Sequence, residues 1–437
     1  MKRKALLIAV FIFFLHYTTT FADVQAPVFS SKSIFITSSA TPQIIYQNNA
    51  DEKFSPGALV QIVPAIIALE KGDAEQIVEI TADLAKVTTA NDSVIGLKEG
   101  ERFSIRQLIQ AAIIGNSDDA ANALALYISK GDLPAFIEMM NKRVAELGAT
   151  NTHFTNATGN YHVDQYSTAS DMALIYRKAY SMPTLQTTLK SKTVVLPATS
   201  FASERPMRTN NYVADNYLQT KYYNSYATGG KVGYYGTSVC NSVSFANKGG
   251  ADVICVVMGG TKQGDNIMSL VDAKAALDFV YSNYKIDNTI SIGDIIYDAK
   301  ITGAKGTDKL NLIADDLLSV LVENNDTEGV KKEVVTDKKT FRAPITKGEI
   351  LGEVKVSYKN VLISSIPLVA SDNVQATAFG ALGGLFAWIF SSWILKIAII
   401  LGVMWFGYKG LYLNPKNRRE ARKLERRRQA EERRKQG

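Results

Sequence analysis

The sequence predicts an α+β domain followed by a small all-β domain and one C-terminal transmembrane helix. Helical patterns dominate 58–179 and strand patterns dominate 226–259, a segregation that is typical of α+β domains. Short alternating runs separated by Gly, Asp and Asn between 286 and 372 predict the all-β domain. The apolar stretch 385–408 is long enough to span a bilayer as a helix.

The first domain is predicted over 23–285. Two short strands open it, 33–37 and 44–46, on either side of a Ser-Ser-Ala-Thr-Pro turn. Apolar periodicity, with Ser, Asp or Pro near several first turns, predicts helices at 58–71, 105–115, 118–130, 133–147, 167–179 and 268–284. Strands are predicted at 226–233, 238–247 and 252–259, and an Asn-Lys-Gly-Gly turn joins the last two.

The second domain is predicted over 286–372 as an all-β module. Its alternating runs predict short strands at 289–291, 295–302, 310–313, 318–321, 352–358 and 361–368. A linker over 373–384 then leads to the apolar stretch.

The N-terminus is typical of a secretory signal peptide over 1–22. Lys2, Arg3 and Lys4 precede an apolar run, and the segment ends in Thr-Phe-Ala, a small-x-small cleavage pattern. An uncleaved N-terminal anchor is the alternative, although the apolar core is short for a span of about 20 residues. Either interpretation places the body of the chain outside the cytoplasm.

The C-terminal segment predicts a single-pass membrane protein. A transmembrane helix from Leu385 to Tyr408 is followed by a basic tail over 409–437, which the positive-inside rule places in the cytoplasm. Lys396, within the helix, either extends its ammonium toward the membrane surface or pairs with a carboxylate of another membrane protein. Membrane lipid is therefore a predicted partner, through the helix and through the tail.

Charge and cysteine content exclude several other functions. The net charge of +7 is concentrated at the ends, since 414–437 alone contains 11 Lys/Arg and 4 Asp/Glu, and a mildly acidic body argues against nucleic-acid binding. Cys240 and Cys255 lie in predicted neighbouring strands, and the sequence leaves their pairing open. With these two cysteines, His153 and His162, we predict no metal site and no cofactor.

Three short motifs carry the residue types on which a function can rest. Pro-Gly-Ala-Leu-Val-Gln-Ile (56–62) begins the first long helix, Gly-Asn-Ser-Asp-Asp-Ala-Ala (115–121) enters another, and Gly-Lys-Val-Gly-Tyr (230–234) begins a β-hairpin. In this order, with 151–156 and 166–173 between the second and the third, the chain resembles the serine-type D-alanyl-D-alanine carboxypeptidases. These low-molecular-mass penicillin-binding proteins trim peptidoglycan stem peptides. The resemblance covers nearly the whole chain.

The resemblance implies a penicillin-binding/β-lactamase-like domain and a three-part active site. In the family, a Ser-x-x-Lys helix start supplies the nucleophile and, one turn later, a lysine that takes its proton as a neutral amine. A Ser-x-Asn loop relays protons and holds the substrate amide, and a Lys-Thr-Gly strand binds the terminal carboxylate of the peptide. Glycine on that strand allows a peptide backbone to approach closely.

This sequence departs from the family at the reacting groups. Ala58 stands at the position of the nucleophile and Gln61 at that of the lysine base, while Asn116 and Asp118 stand at the serine and the asparagine of the second motif. Lys231 and Gly233 match the third motif, but Val232 replaces its hydroxyl residue. No acyl-enzyme can form at Ala58, so we predict no intact catalytic residue and a substrate-binding role for 231–233.

The sequence thus favours a non-acylating pseudoenzyme that binds peptidoglycan stem peptides or a protein of the cell-wall machinery. The main alternative is an active carboxypeptidase with an unrecognised nucleophile, and a third possibility is a scaffold that binds neither. The one Ser-x-x-Lys sequence, at Ser282, occurs after Lys231 and is interpreted as a coincidence. For Lys231, an ion pair with Asp118 and a retained anion-binding role both remain open, and water activation by Asp118 is a minor possibility.

Overall fold

The computed structural model describes residues 25–235, 239–326, 328–336, 338–377, 393–412 and 415–435. The predicted signal peptide, 1–22, and the linker residues 378–384 lie outside these ranges. The chain forms two compact units. The first runs through Thr289 and also includes 318–331 and 356–364, and the second comprises 290–317, 332–355 and the residues from 365 onward.

The first unit contains a main antiparallel sheet with helices on both faces, and two small two-stranded sheets. Its strands are β1 Ser33–Ser38, β2 Ile44–Asn48, β3 Ile77–Glu79, β4 Arg102–Ser104, β5 Thr193–Leu196, β6 Arg205–Arg208, β7 Ala227–Tyr235, β8 Val239–Lys248, β9 Ala251–Gln263 and β10 Asn266–Ile267. Its helices are α1 Ile62–Lys71, α2 Asp83–Val87, α3 Ile105–Ile114, α4 Asp118–Ser129, α5 Leu133–Glu146, α6 Ala169–Tyr180, α7 Pro183–Lys190 and α8 Met268–Asn283. The main sheet has the order β2-β1-β9-β8-β7.

Alternation along the central strand β9 supplies both hydrophobic cores. Because successive side chains of a strand point to opposite faces, one set packs with the helices α1 and α3–α6 and the other with α8. The first set is Ile254, Val256 and Met258. The second set is Val253, Cys255 and Val257. The sheet therefore fixes the position of β7, which carries the third motif, relative to the helical side.

Two well-capped helices meet at the second motif. Ser104 caps α3 and forms a reciprocal capping box with Gln107. The hydroxyl of Ser117 caps α4 by accepting a hydrogen bond from the Ala120 amide at 3.2 Å. Between the helices, Asn116 adopts the left-handed conformation with φ of 49°. The tight connection places the second motif between the end of α3 and the start of α4.

The β-rich region that follows begins with a strand pair, β11 Tyr284–Ile290 and β14 Leu318–Glu323. Its other strands are β12 Ile295–Thr302, β13 Lys309–Ala314, β15 Lys331–Thr336, β16 Thr340–Arg342, β17 Ile350–Tyr358 and β18 Val361–Ala370. These six form a sheet of order β15-β17-β18-β13-β12-β16, in which β12 and β16 are parallel. The region is all-β, as the alternating sequence pattern predicts.

Cys240 and Cys255 do not form a disulfide; both are free and buried. Cys240 is opposite Gly260 and Cys255 is opposite Ser244, so about four residues of strand, roughly 13 Å, separate them along the sheet. A disulfide needs Cα atoms within about 7 Å. Burial raises the pKa of Cys240 to about 11 and that of Cys255 to about 12, which keeps both as unreactive thiols.

The C-terminal helices are α9 Trp393–Tyr412 and α10 Pro415–Lys435. The first eight residues of the predicted transmembrane helix, 385–392, lie outside the described residues, and α9 extends past its predicted end at Tyr408. Across the described ranges, no helix meets both the length and the apolarity required for a membrane span.

Candidate functional site

A cavity of the first unit with a volume of about 950 Å³ lies where the first and second motifs meet. Its wall includes three of the predicted site residues, Ala58, Asn116 and Asp118. The wall also includes the loop around Gly159, Arg208 at the end of β6, and Tyr234 on β7. We refer to this cavity as the cleft.

Close backbone packing fixes Ala58 at the cleft floor. Ala58 belongs to a short 3-10 helix, Gly57–Gln61, that precedes α1. Gly57 has φ of +58°, and a Cβ there would overlap the carbonyl oxygen of Tyr234. A Cβ at Gly159 would in turn overlap the carbonyl of Gly57. Glycine is thus required at both positions for β7, the 3-10 helix and the 157–160 loop to touch. The methyl of Ala58 takes the place that the resemblance assigns to a nucleophile.

Gln61 is bound to Asp118. The fully buried amide Nε2 of Gln61 donates to Asp118 Oδ1 at 2.7 Å, and Gln61 Oε1 has no hydrogen-bond partner among the described residues. The amide of Ser93 donates to Asp118 Oδ2 at 2.8 Å, and the Asp118 amide donates to the Ser93 carbonyl at 2.7 Å. Asp118 therefore links the first motif to the loop 88–97.

Burial governs the charge of Asp118. It raises the pKa of this carboxyl to about 6, helped by the negative charge of Asp92 and opposed by the hydrogen bonds from Ser93 and Gln61 and by the charge of Lys231. Asp119, the next residue, accepts hydrogen bonds from the amides of Ile95, Gly96 and Leu97. The two adjacent carboxyl groups hold the loop 88–97 beside the cleft.

Lys231 is sealed against the end of α3. Its ammonium group donates to the carbonyl oxygens of Ala112 at 2.9 Å and Ile113 at 3.2 Å, and to Asn116 Oδ1. The side chain is 1% exposed. Three acceptors satisfy its three donors, and the carbonyls at a helix C-terminus attract a cation. Burial lowers the pKa of Lys231 to about 7, and the charge of Asp118 opposes this shift.

Of the two roles left open for Lys231, the ion pair with Asp118 does not form. These two described residues have no nitrogen–oxygen contact within 4 Å, because the α3 carbonyls and Asn116 hold the ammonium instead. Val232 is fully buried in the core beneath α8, and a Cβ at Gly233 would overlap the backbone of Leu59 and Pro56. None of 231–233 lines the cleft; Tyr234, the next residue, does.

The Ser-x-x-Lys sequence at 282–285 does not form a helix start. Ser282 is in the last turn of α8, and Lys285 is already on β11. Neither residue lines the cleft. The interpretation of this sequence as a coincidence agrees with their placement.

The sequence analysis missed two polar groups of the cleft wall. Arg208 forms a two-point ion pair with Asp215, at 2.7 and 2.9 Å, and its guanidinium lies 4.0 Å from the centre of the Tyr217 ring. Asn160 Nδ2 donates to Asp92 Oδ1 at 2.6 Å. Only the tertiary fold brings these residues to the cleft, and no local motif marks them.

The cleft has hydroxyl groups, one of which is bound to a carboxylate, but among the described residues none of those named here has a lysine or a histidine beside it. Thr89, Ser93 and Thr158 line it, and Thr89 donates to Asp92 while Thr158 donates to Asn156. Within the described residues, none of the three hydroxyls is hydrogen-bonded to a lysine or a histidine. A nucleophile and an adjacent base within about 3.2 Å are the signature of covalent catalysis. The arrangement can hold a polar ligand through amides and backbone groups.

The fold and the cleft together define the α+β class of domain found in penicillin-binding proteins. The family model described as D-alanyl-D-alanine carboxypeptidase matches residues 20–262, and the C-terminal domain of penicillin-binding protein 5 matches 284–376. The chain belongs to the D-alanyl-D-alanine carboxypeptidase family.

Curated relatives and solved structures are similar over most of their length. The carboxypeptidase DacF of Bacillus subtilis is 25% identical over 354 residues, which cover 80% of this chain and 87% of DacF. DacC of Escherichia coli is 26% identical over 406 residues, covering 90% of this chain and 94% of DacC. The structure of penicillin binding protein 5 from Haemophilus influenzae has a TM-score of 0.65 at 23% identity and covers 81% of this chain and all of that one. The expected order of a penicillin-binding domain and a small β domain is confirmed.

Proposed function

We propose that this member of the family binds peptidoglycan stem peptides ending in D-alanyl-D-alanine and does not form an acyl-enzyme. The observation that carries the proposal is the methyl group of Ala58 on the floor of an open cleft of about 950 Å³. A volume of this size is within the range of about 300–1,000 Å³ for small-ligand sites. The family's substrate chemistry supplies the ligand, and the loss of the nucleophile removes the reaction.

The hydrogen-bond network around Ala58 supports the same proposal. Gln61 cannot act as a base, and its amide is committed to Asp118. Lys231 has no free donor with which to bind a carboxylate. Binding therefore falls to groups that face the cleft, such as Arg208, Asn160 and Tyr234.

A fluorescent penicillin tests the loss of acylation. We expect no covalent label on the full-length protein under conditions that label a functional family member, because loss of the nucleophile from a serine–base unit costs on the order of 10⁶ in turnover. Covalent label would contradict the proposal and favour the active alternative, for which Ser93→Ala would then test the cleft serine.

Calorimetry with a pentapeptide ending in D-alanyl-D-alanine tests the binding. We expect saturable binding without release of D-alanine. Binding accompanied by release would contradict the pseudoenzyme. Absence of binding would contradict the stem-peptide ligand and favour a cell-wall protein as the partner, or a scaffold role.

We also propose that the protein is anchored in the cell membrane, with its body outside the cytoplasm. The signal peptide, the apolar stretch 385–408 and the basic tail support this topology. The exposed basic side chains of α10 suit anionic lipid, at about 1 kcal/mol per residue near the surface. Protease added to intact cells is expected to digest the body and to spare an epitope at residue 437, and digestion of that epitope with the body intact would overturn the topology.

A further inference from the structure

A second cavity of about 610 Å³ adjoins the cleft in the first unit. It lies between the start of α5, the loop 155–160 and the residues that follow α2. Thr89, Thr158 and Asn160 line both cavities, so a thin partition separates them. We refer to it as the side pocket.

The side pocket contains an unpartnered carboxamide. Asn122, on α4, is only 6% exposed, and it lines this pocket. Its side chain makes no hydrogen bond with any residue of the described ranges. The amide atoms of Asn122 therefore face the open space of the pocket. A ligand that both accepts from and donates to this carboxamide would complete its hydrogen bonding.

The rest of the pocket wall is mainly apolar. Val87, Leu133 and Ile137 are half-buried and pack against the core of the helical side. Near them, Asp92 is held by the amide and hydroxyl of Thr89 and by Asn160. The pocket thus combines a small apolar surface, one free carboxamide and a polar edge that faces the cleft.

We propose that the side pocket binds the acetamido group of a peptidoglycan amino sugar. An acetamido group has a methyl that suits the apolar wall and an N–H and C=O that suit the carboxamide of Asn122. The hydroxyl groups of the sugar then face the polar edge at Asp92. Because the pocket lies beside the cleft, one peptidoglycan strand can present its sugar to the pocket and its stem peptide to the cleft. Only this simultaneous binding rests on the proposed function.

The test is calorimetry of full-length protein with tri-N-acetylchitotriose and with its fully deacetylated counterpart. We expect binding of the acetylated trimer, and binding of the deacetylated trimer at least about tenfold weaker, because the latter lacks the methyl and the carbonyl. Asn122→Leu, which removes the amide at similar volume, is expected to weaken binding of the acetylated trimer about fivefold to tenfold. The matched control is Asn151→Leu, at an exposed asparagine that lines neither cavity, and it should bind as the parent does.

A second variant protects the test against misfolding. Leu133→Trp, at a half-buried position of the pocket wall, fills the pocket without altering Asn122 and should also abolish binding of the trimer. Three results with the trimers would overturn the inference: equal affinity for both trimers, absence of binding, or binding that survives both variants. Binding of an N-acetylated dipeptide by a protein that does not bind the acetylated trimer would also overturn it.

A parallel titration with the D-alanyl-D-alanine pentapeptide keeps the two proposals distinct. If the protein binds the trimer but not the pentapeptide, the proposed function is refuted. If Asn122→Leu leaves trimer binding unchanged, the proposed sugar binding in the side pocket is refuted.

Discussion

Replacing Ala58 with Ser and Gln61 with Lys is expected to give little reaction with penicillin until Asp118 is also replaced with Asn. The reason is the 2.7 Å hydrogen bond that joins residue 61 to the Asp118 carboxylate. A lysine at 61 would form a buried ion pair with this carboxylate. The family's lysine must act as a neutral amine, and an adjacent negative charge favours its protonated form.

The size of the effect follows from the shift in pKa. An opposite charge within about 4–6 Å shifts a pKa by about 1–3 units, and each unit lowers the neutral fraction of the amine about tenfold near neutral pH. The triple variant should therefore acylate about 10–1,000 times faster than the double variant. Burial of position 61, which is fully inaccessible, lowers the lysine pKa further once Asp118 has gone.

The measurement is the rate of covalent labelling by a fluorescent penicillin for the parent, the double variant and the triple variant. A matched control adds Asp92→Asn to the double variant, because this change removes a nearby negative charge that has no contact with Gln61. Only Asp118→Asn should increase the rate strongly. Equal rates for the double and triple variants would show that Asp118 does not hold the lysine in its protonated form.

The sequence was informative wherever local rules decide the structure. The hydroxyls of Ser104 and Ser117 mark the starts of α3 and α4, and both helices occur where the apolar period and the caps predict them. β9 likewise occurs where a strand is predicted, and its continuous apolar run 253–258 is typical of a strand buried on both faces. Shorter elements such as α7 Pro183–Lys190 and the β5–β6 pair were missed, since one or two turns of helix or four residues of strand give too weak a period.

The candidate site was predictable in its residue types but not in its contacts. Ala58, Asn116 and Asp118, which belong to two of the motifs, line one cavity. The sequence left the partner of Lys231 open, because backbone carbonyls at the end of α3 carry no signal in residue type. The sequence also could not predict that the carboxamide of Asn122 lines a pocket, since this depends on how α5 and a distant loop pack around α4.

Lys231→Met is expected to remove the alkaline pH dependence of stability of the first unit. Burial lowers the pKa of Lys231 to about 7 in the folded protein. Between about pH 7 and 10 the unfolded chain therefore binds a proton that the folded chain lacks, so the free energy of unfolding rises with pH. At about 1.4 kcal/mol per unit, the parent should gain up to about 4 kcal/mol over this interval, whereas the variant should gain none from this position.

Lys231→Met should also lower the free energy of unfolding at every pH at which Lys231 of the parent keeps its hydrogen bonds. Without the amine, the carbonyls of Ala112 and Ile113 and the Asn116 side chain lose a donor, at about 1–3 kcal/mol for buried groups left unpaired. Denaturant midpoints of the full-length protein from pH 6 to pH 10 measure both effects. The control is Lys71→Met, at an exposed lysine at the end of α1. A parent midpoint that does not rise above pH 7, or a rise that persists in Lys231→Met, would contradict the assignment.

Asp118 should give the opposite dependence at lower pH. Its folded-state pKa of about 6 lies above the usual value, so between about pH 4 and 6 the folded chain binds the additional proton and stability falls as pH rises. Together the two groups place a minimum in their contribution to stability near pH 6–7, where Asp118 is ionised and Lys231 is still charged. Asp118→Asn should remove the acid side of this minimum and Lys231→Met the alkaline side. The two groups still interact through their charges, since each charge opposes the shift of the other group. Lys231→Met should therefore also raise the pKa of Asp118 further, and Asp118→Asn should lower that of Lys231 further.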